Sequence, residues 1–243
     1  MAPPSTRERI LDAAEELFAR HGIADTSLRA LTRHAGVNLA AVHYHFGSKD
    51  GLLDAVVERI AAPINADRRE RLARLEDCGD GAPSAADVLL AFFLPVIERL
   101  EASAASGGPP ALARLIARVE SEPPGEIARL SCRHFGEIGS LYTEALVRAL
   151  PELAPGVVAE RFHLAHAVFT AAFQSEPTPA RSSTPAPREA DRLVARAHEA
   201  LAFAIAGLCA PATRPATPCR PRLASGAPAS AEPDGPRLEV TAR

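Results

Sequence analysis

Apolar residues recur at intervals of three and four along most of the 243-residue chain, the spacing that gathers them on one face of a helix. After a short arm at residues 1 to 5, with Ser5 or Thr6 at the helix start, Ile10, Leu11, Ala14, Leu17 and Phe18 make a first stripe, which Gly22 stops. Leu28, Leu31 and Ala35 make a shorter one, and Thr26 or Ser27 can cap it by accepting from its free amides. Gly36 ends that helix where the backbone commonly turns left-handed. Asn38 can cap the next helix, about Leu39 to His45, whose Val42 and Phe46 point inward. A long helix starts near Lys49 and carries Leu53, Val56, Val57, Ile60 and Ile64 on to about Leu75, with Pro63 expected to bend or restart it. The first helix is expected to pack across the two short ones and complete a three-helix head.

Farther on, residues 78 to 85 read as a loop. From about Ala86 to Ala102 nearly every face is apolar, so this helix belongs in a core, and Pro95 within it predicts a kink that can open space for a ligand. Gly107-Gly108-Pro109-Pro110 breaks the chain before a helix of about Ala111 to Ser121. Longer helices follow at about Glu126 to Leu150 and 156 to 174. A proline-rich connection at 175 to 187 leads to a last helix at about 188 to 209, with Leu193, Ala197, Leu201, Ala204, Ile205 and Leu208 on one face. Residues 210 to 243 hold seven prolines and few large apolar groups, the pattern of a disordered tail. The expected fold is all-α, about nine helices: a helix-turn-helix head at 1–53, whose linking helix continues to about 76, a helical bundle at 54–209, and the tail.

Charge alters this picture in one place. The chain carries a formal net charge of −3, yet the charged side chains between residues 26 and 49 are Arg29, Arg33 and Lys49, with no Asp or Glu. The outward face of the second short helix is small and polar-tipped, formed by Ala40, Ala41, His43 and Tyr44, while Leu39 fits either the core or that face. A helix of this kind, following a tight turn and flanked by cations, suits the DNA major groove: small residues permit close approach and the cations meet phosphates. A second group, Arg68, Arg69, Arg71 and Arg74, alternates with Asp67, Glu70, Glu76 and Asp77 and reads as a solvated, salt-bridged surface.

The run Thr26, Leu31-Thr32, Ala35-Gly36-Val37 and His43-Tyr44-His45-Phe46-Gly47-Ser48-Lys49 resembles the tetracycline-repressor (TetR) family of bacterial regulators. The resemblance implies phosphate contacts from Tyr44, His45 and Lys49, and base or near-base contacts from Arg29, Leu39, Ala40, Ala41 and His43; Ser27 and Asn38 complete the expected DNA-facing set. Two positions depart from the family pattern: Thr32 replaces the usual alanine, and His43 stands where an aromatic or Asn is frequent. The resemblance also implies a homodimer formed by the last two helices, here about 156–174 and 188–209, on a pseudo-palindromic double-stranded DNA operator. More weakly, the Arg-His-Phe segment and the aromatic helix after LVRALPEL resemble fatty-acid and acyl-CoA-responsive members.

An effector site is expected in the bundle, for a small apolar or amphipathic molecule. Its candidate residues are Phe92, Phe93, Cys132, Phe135, Tyr142, Phe162, His166 and Phe169, each of which also fits ordinary core. No nucleophile elbow, paired carboxylates or Gly-rich phosphate loop is present, so an enzyme is not expected, although His163 and His166 with Cys132 allow a thiol-histidine alternative. An architectural DNA-binding dimer without an effector is the other alternative. No cofactor or metal is expected, since Cys78, Cys132, Cys209 and Cys219 lack ligand spacing. No apolar run reaches the ~18 residues of a membrane span, and the first residues are not a secretion signal, which predicts a cytosolic protein.

Overall fold

The computed structural model describes residues 3–77, 83–106, 113–116, 124–174 and 188–211, and their regular structure is entirely helical. The helices are α1 (Thr6–His21), α2 (Leu28–Ala35), α3 (Leu39–Phe46), α4 (Lys49–Asp77), α5 (Ala85–Ala105), α6 (Pro124–Ala149), α7 (Pro155–Gln174) and α8 (Glu189–Leu208). A short helical segment covers 113–116. The connection at 175–187, the tail beyond 211 and the rest of the expected 111–121 helix lie outside the described residues, as does most of the 78–85 loop.

Local chemistry sets the ends of the head helices. Ser5 Oγ accepts from the Glu8 amide at 3.2 Å while Glu8 Oε2 accepts from the Ser5 amide at 2.7 Å, a reciprocal cap for α1. Ser27 caps α2 by accepting from the Ala30 amide, whereas Thr26 is buried and donates to the Gly22 carbonyl at 2.7 Å. Gly36 closes α2 at φ 62°, and Arg9 Nη2 donates to the carbonyls of Ala35 and Gly36 at 2.7 and 2.8 Å. Asn38 caps α3 through the Ala41 amide at 2.8 Å. Ile10, Phe18, Leu31, Val42, Leu52, Leu53 and Val56 close the core that α1 to α3 share with the start of α4.

In the body, α5 packs against α4, α6 and α8, and α7 lies against α6 and α8. Phe93, Ile97, Ile138, Tyr142, Leu146, Leu201 and Leu208 form this second core, while Ile60 and Phe135 pack against both. α4 is joined to α1 through Arg59 with Asp12 and Glu15. It is joined to α6 by His134, whose ring nitrogens lie 2.9 Å from Asp54 and 2.8 Å from Glu58, and by Asn65 Nδ2 donating to the His134 carbonyl at 2.7 Å.

Two expectations need correction. Pro63 does not restart α4, which runs through it to Asp77; the residue sits on the exposed side, where water can satisfy a carbonyl the ring leaves without its donor. Arg68 is not part of a solvated surface. Arg69, Arg71 and Arg74 do pair with carboxylates, on Glu137, on Asp67 and Glu98, and on Glu70, but Arg68 is 4% exposed. Its position explains the burial: Ile64, Arg68 and Leu72 are spaced by four, so the arginine falls within the apolar stripe. Pro95 likewise lies inside an unbroken α5, and in the turn before it the Phe92 carbonyl accepts from Arg68 Nε at 2.8 Å.

Candidate functional site

Two places in the molecule combine exposure or space with unused polar groups. The first is the outer surface of α2 and α3. Ser27, Arg29, Asn38, Leu39, Ala40, His43, Tyr44 and His45 are all exposed there, Tyr44 to 85%, while Ala41 and Lys49 are half-buried. Ala41 packs against the head core, so it belongs less to the outer face than Ala40. The side chains of Arg29 and Arg33 are exposed and have no acidic residue near them in the segment. Lys49 Nζ donates to the Ala24 carbonyl at 3.1 Å, which holds the ammonium beside the turn with further N–H groups available. Ser27 and Asn38 spend a side-chain oxygen on capping.

His43 Nδ1 lies 2.9 Å from the Gly47 carbonyl oxygen. A carbonyl can only accept, so Nδ1 carries the proton, and in the neutral ring Nε2 is left as an outward acceptor. The imidazole therefore has a fixed polarity that its residue type alone leaves open. Tyr44 and His45 meet edge to face, with ring centroids 5.0 Å apart, at the far end of the same surface.

The second place is a cavity of about 740 Å³ between α4, α5, α6 and α7, closed on one side by residues of the 113–116 segment. That volume falls in the range of about 300–1,000 Å³ typical of small-molecule sites. Seven of the eight residues expected at a ligand site line it: Phe92, Phe93, Cys132, Phe135, Phe162, His166 and Phe169. Tyr142 does not. It is fully buried behind the wall, edge-on to Phe92 at 4.9 Å, and its hydroxyl donates to the Arg68 carbonyl at 2.8 Å. Burial raises its phenol above the ordinary range, outweighing the nearby arginines.

The residue-by-residue reading of the sequence missed two features of this wall. On α6, Gly136, Gly139, Ser140 and Thr143 face the cavity, and their three-and-four spacing makes a small-residue stripe that could have been found. The other is Arg68. Its Cζ stacks 3.8 Å from the Phe92 ring centroid, Nε donates to the Phe92 carbonyl, and Nη1 donates to Asn65 Oδ1 at 3.1 Å. Burial lowers its pKa to about 10, so it remains a cation at neutral pH. Burial also pushes His166 down to about 4, helped by the positive charges of Arg68 and His163, which leaves that ring neutral. Among the described residues no cluster of His, Cys, Asp and Glu has metal-holding geometry.

Comparison with known proteins bears on both places. A family model for bacterial regulatory proteins of the tetR family matches residues 10–56, and one for the tetracyclin repressor-like C-terminal domain matches 90–207, together more than half of the chain. The transcriptional regulator SrpR of Pseudomonas putida is 42% identical over 62 residues, 26% of this chain and 29% of its own. The regulatory protein RaaS of Mycobacterium tuberculosis is 44% identical over 64 residues, 26% of this chain and 30% of its own. The chain thus spans about a third or less of these relatives' length. Among solved structures, the fatty acid degradation regulator FadR of Bacillus halodurans superposes with a TM-score of 0.57 at 14% identity, covering 86% of this chain and 99% of that one. SmeT in complex with triclosan also gives 0.57, at 22% identity, covering 87% and 98%. At these identities the structural likeness establishes the fold.

Proposed function

We propose that this chain, which belongs to the TetR family of bacterial regulatory proteins, acts as a homodimeric transcriptional repressor that releases a pseudo-palindromic operator when a small effector fills its cavity. The observation that carries the DNA reading is the exposed face of α3, with Arg29, Arg33 and Lys49 beside it and no carboxylate in the segment to neutralise them. On this reading α3 enters the major groove. Ala40 and Leu39 approach base edges, His43 offers Nε2 as an acceptor to an exocyclic amine, and Tyr44, His45 and Lys49 meet phosphates. Residues 1–53 are then the DNA-reading domain, 54–209 the effector and dimerisation domain, and 210–243 a tail.

The dimer reading is supported by the outward sides of the last two helices, where Val157 and Leu164 on α7 and Phe203 on α8 are exposed. Two heads joined through such a surface can meet successive major-groove faces about one helical turn, roughly 34 Å, apart. The effector reading is supported by the cavity wall: Val57, Ile60, Ala61, Ile64 and Arg68 belong to α4, the helix that also closes the head core. A ligand that favours one placement of α4 over another shifts the spacing of the heads, and only that differential affinity produces a response. The protein is read as a cytosolic regulator without catalytic activity; no helix among the described residues is long and apolar enough to cross a membrane.

Selection of binding sites from random duplex DNA by the purified protein, followed by salt titration on the enriched sequence, tests this. The expected result is a palindrome bound by two subunits with steep salt dependence, and loss of binding in Ala40→Glu, whose exposed position leaves the fold intact. A folded protein that enriches no sequence, with or without added small molecules, would contradict the operator reading and favour architectural binding.

A further inference from the structure

We propose that the cavity takes an amphipathic anion, an apolar body bearing a single carboxylate, and that Arg68 receives the carboxylate while the phenylalanine-lined wall receives the body. The proposal deepens the effector reading above and rests on it.

The chain has already shown how it treats arginines on α4. Arg59, Arg69, Arg71 and Arg74 each pair with a carboxylate at or near the surface. Arg68 alone among them is buried, and no carboxylate of the described residues lies within the 4.0 Å of an ion pair. A guanidinium removed from water without a counter-charge is costly unless its N–H groups find acceptors. Of the five such groups, one is taken by the Phe92 carbonyl and one by Asn65, and the remainder have no acceptor among the described residues. Among the described residues no buried side-chain nitrogen or oxygen is left without a partner, so the unused edge of Arg68 is the one open to the cavity it lines.

The charges around it point the same way. His166 on the facing helix is neutral, Arg99 adds positive potential nearby, and Glu144, the acidic residue on the wall, is exposed and makes no pair with Arg68. The stacking of Arg68 on Phe92 and its two bonds hold the guanidinium plane in place, so the open edge is preorganised. In an aqueous cavity water can satisfy that edge. A neutral apolar ligand would displace the water and strand the donors, whereas a carboxylate replaces it with charge-assisted hydrogen bonds, so the acid is favoured over its uncharged counterpart. Phe93, Phe162 and Phe169 then accommodate the apolar body. Because Arg68 lies on the helix that reaches back to Lys49, the headgroup is held on the element that links cavity and head.

The test compares matched ligands by calorimetry on the full-length protein at pH 7: decanoate with decan-1-ol, and 4-biphenylcarboxylate with 4-biphenylmethanol. The wild type is expected to bind each acid roughly tenfold or more tighter than its alcohol, and Arg68→Met to lose that preference. The wild-type comparison decides the matter even if Arg68→Met fails to fold. Alcohols bound as tightly as acids would overturn the headgroup assignment and leave the effector reading standing. If neither series binds, in a protein shown to bind its DNA, the effector reading fails and this proposal with it.

Discussion

At the scale of single residues, the tightest constraint falls on a glycine inside a helix. A methyl group at Gly51 would sit 2.2 Å from the Phe46 carbonyl oxygen, and a backbone atom cannot swing aside as a side chain can. Gly51→Ala should therefore force α4 away from α3 and destabilise the protein by about 1–3 kcal/mol, measured by urea denaturation. Gly47→Ala, at φ 72° with open space around it, should cost only the backbone strain, about 1 kcal/mol. The opposite ranking would mean that the close approach of Phe46 and Gly51 relaxes freely. His166 supplies a second residue-level prediction. Burial, with Arg68 and His163, lowers its folded pKa to about 4 from an ordinary 6.5, so as pH falls below 6.5 the unfolded chain binds the proton first. Its contribution is present above 6.5 and is lost progressively down to about pH 4. His166→Phe should shrink the fall in Tm between pH 7 and pH 5, and an unchanged fall would assign the acid sensitivity to other groups. The turn at Gly36 was legible in the sequence because the end of an apolar stripe demands a stop there, whereas the constraint on Gly51 comes from a carbonyl that only the fold brings near.

At the scale of elements, α4 is the member that both cores share. Its early residues close the head core, its later ones the body core and the cavity wall, and Asp54 ties it to α6. Burial alone would raise the Asp54 carboxyl, but hydrogen bonds from His134 and Arg133 outweigh it and hold the group below its ordinary value. A carboxyl lowered in the folded state contributes stability that is present above pH 3.8 and is lost as pH falls through the folded value. Asp54→Asn should cost about 1–3 kcal/mol at pH 7 and less than that near pH 2, a difference read by denaturation at the two values. A cost independent of pH would show that the contact is packing and not charge. The course of α4 was legible from its stripe of aliphatic residues, but the expected restart at Pro63 and the solvated reading of Arg68 failed for one reason. Sequence spacing assigns a face, while the outcome depends on what stands opposite. Pro63 faces solvent, and Arg68 faces a carbonyl, a phenyl ring and the cavity.

At the scale of the whole molecule, one subunit leaves apolar surface uncovered on its last two helices. Leu193, Ala197, Leu201, Ala204 and Leu208 of α8 are buried within the subunit, so the stripe that stood out in the sequence serves the internal core. The opposite side holds Ala195, Ala202, Ala206 and Phe203, the last 68% exposed, and α7 adds Leu164 at 53%. The sequence stripe drew attention to the buried side of this helix, and an exposed Phe203 gains meaning only beside the exposed Ala202, Ala206 and Leu164, with Glu199 and Glu160 one turn away. If a second copy covers this face, a carboxylate there would be buried without a partner in the assembly yet fully hydrated in the free subunit. Phe203→Glu should thus leave the subunit folded, with unchanged helicity, and convert it to a monomer in sedimentation equilibrium. Binding to a full palindrome should fall by about 10²–10⁴-fold, because the second head no longer benefits from the effective concentration set by the first, while binding to an isolated half-site stays as it was. A variant that remains dimeric with full affinity would place the interface elsewhere, and equal losses on half-site and palindrome would trace the defect to the head instead of to assembly.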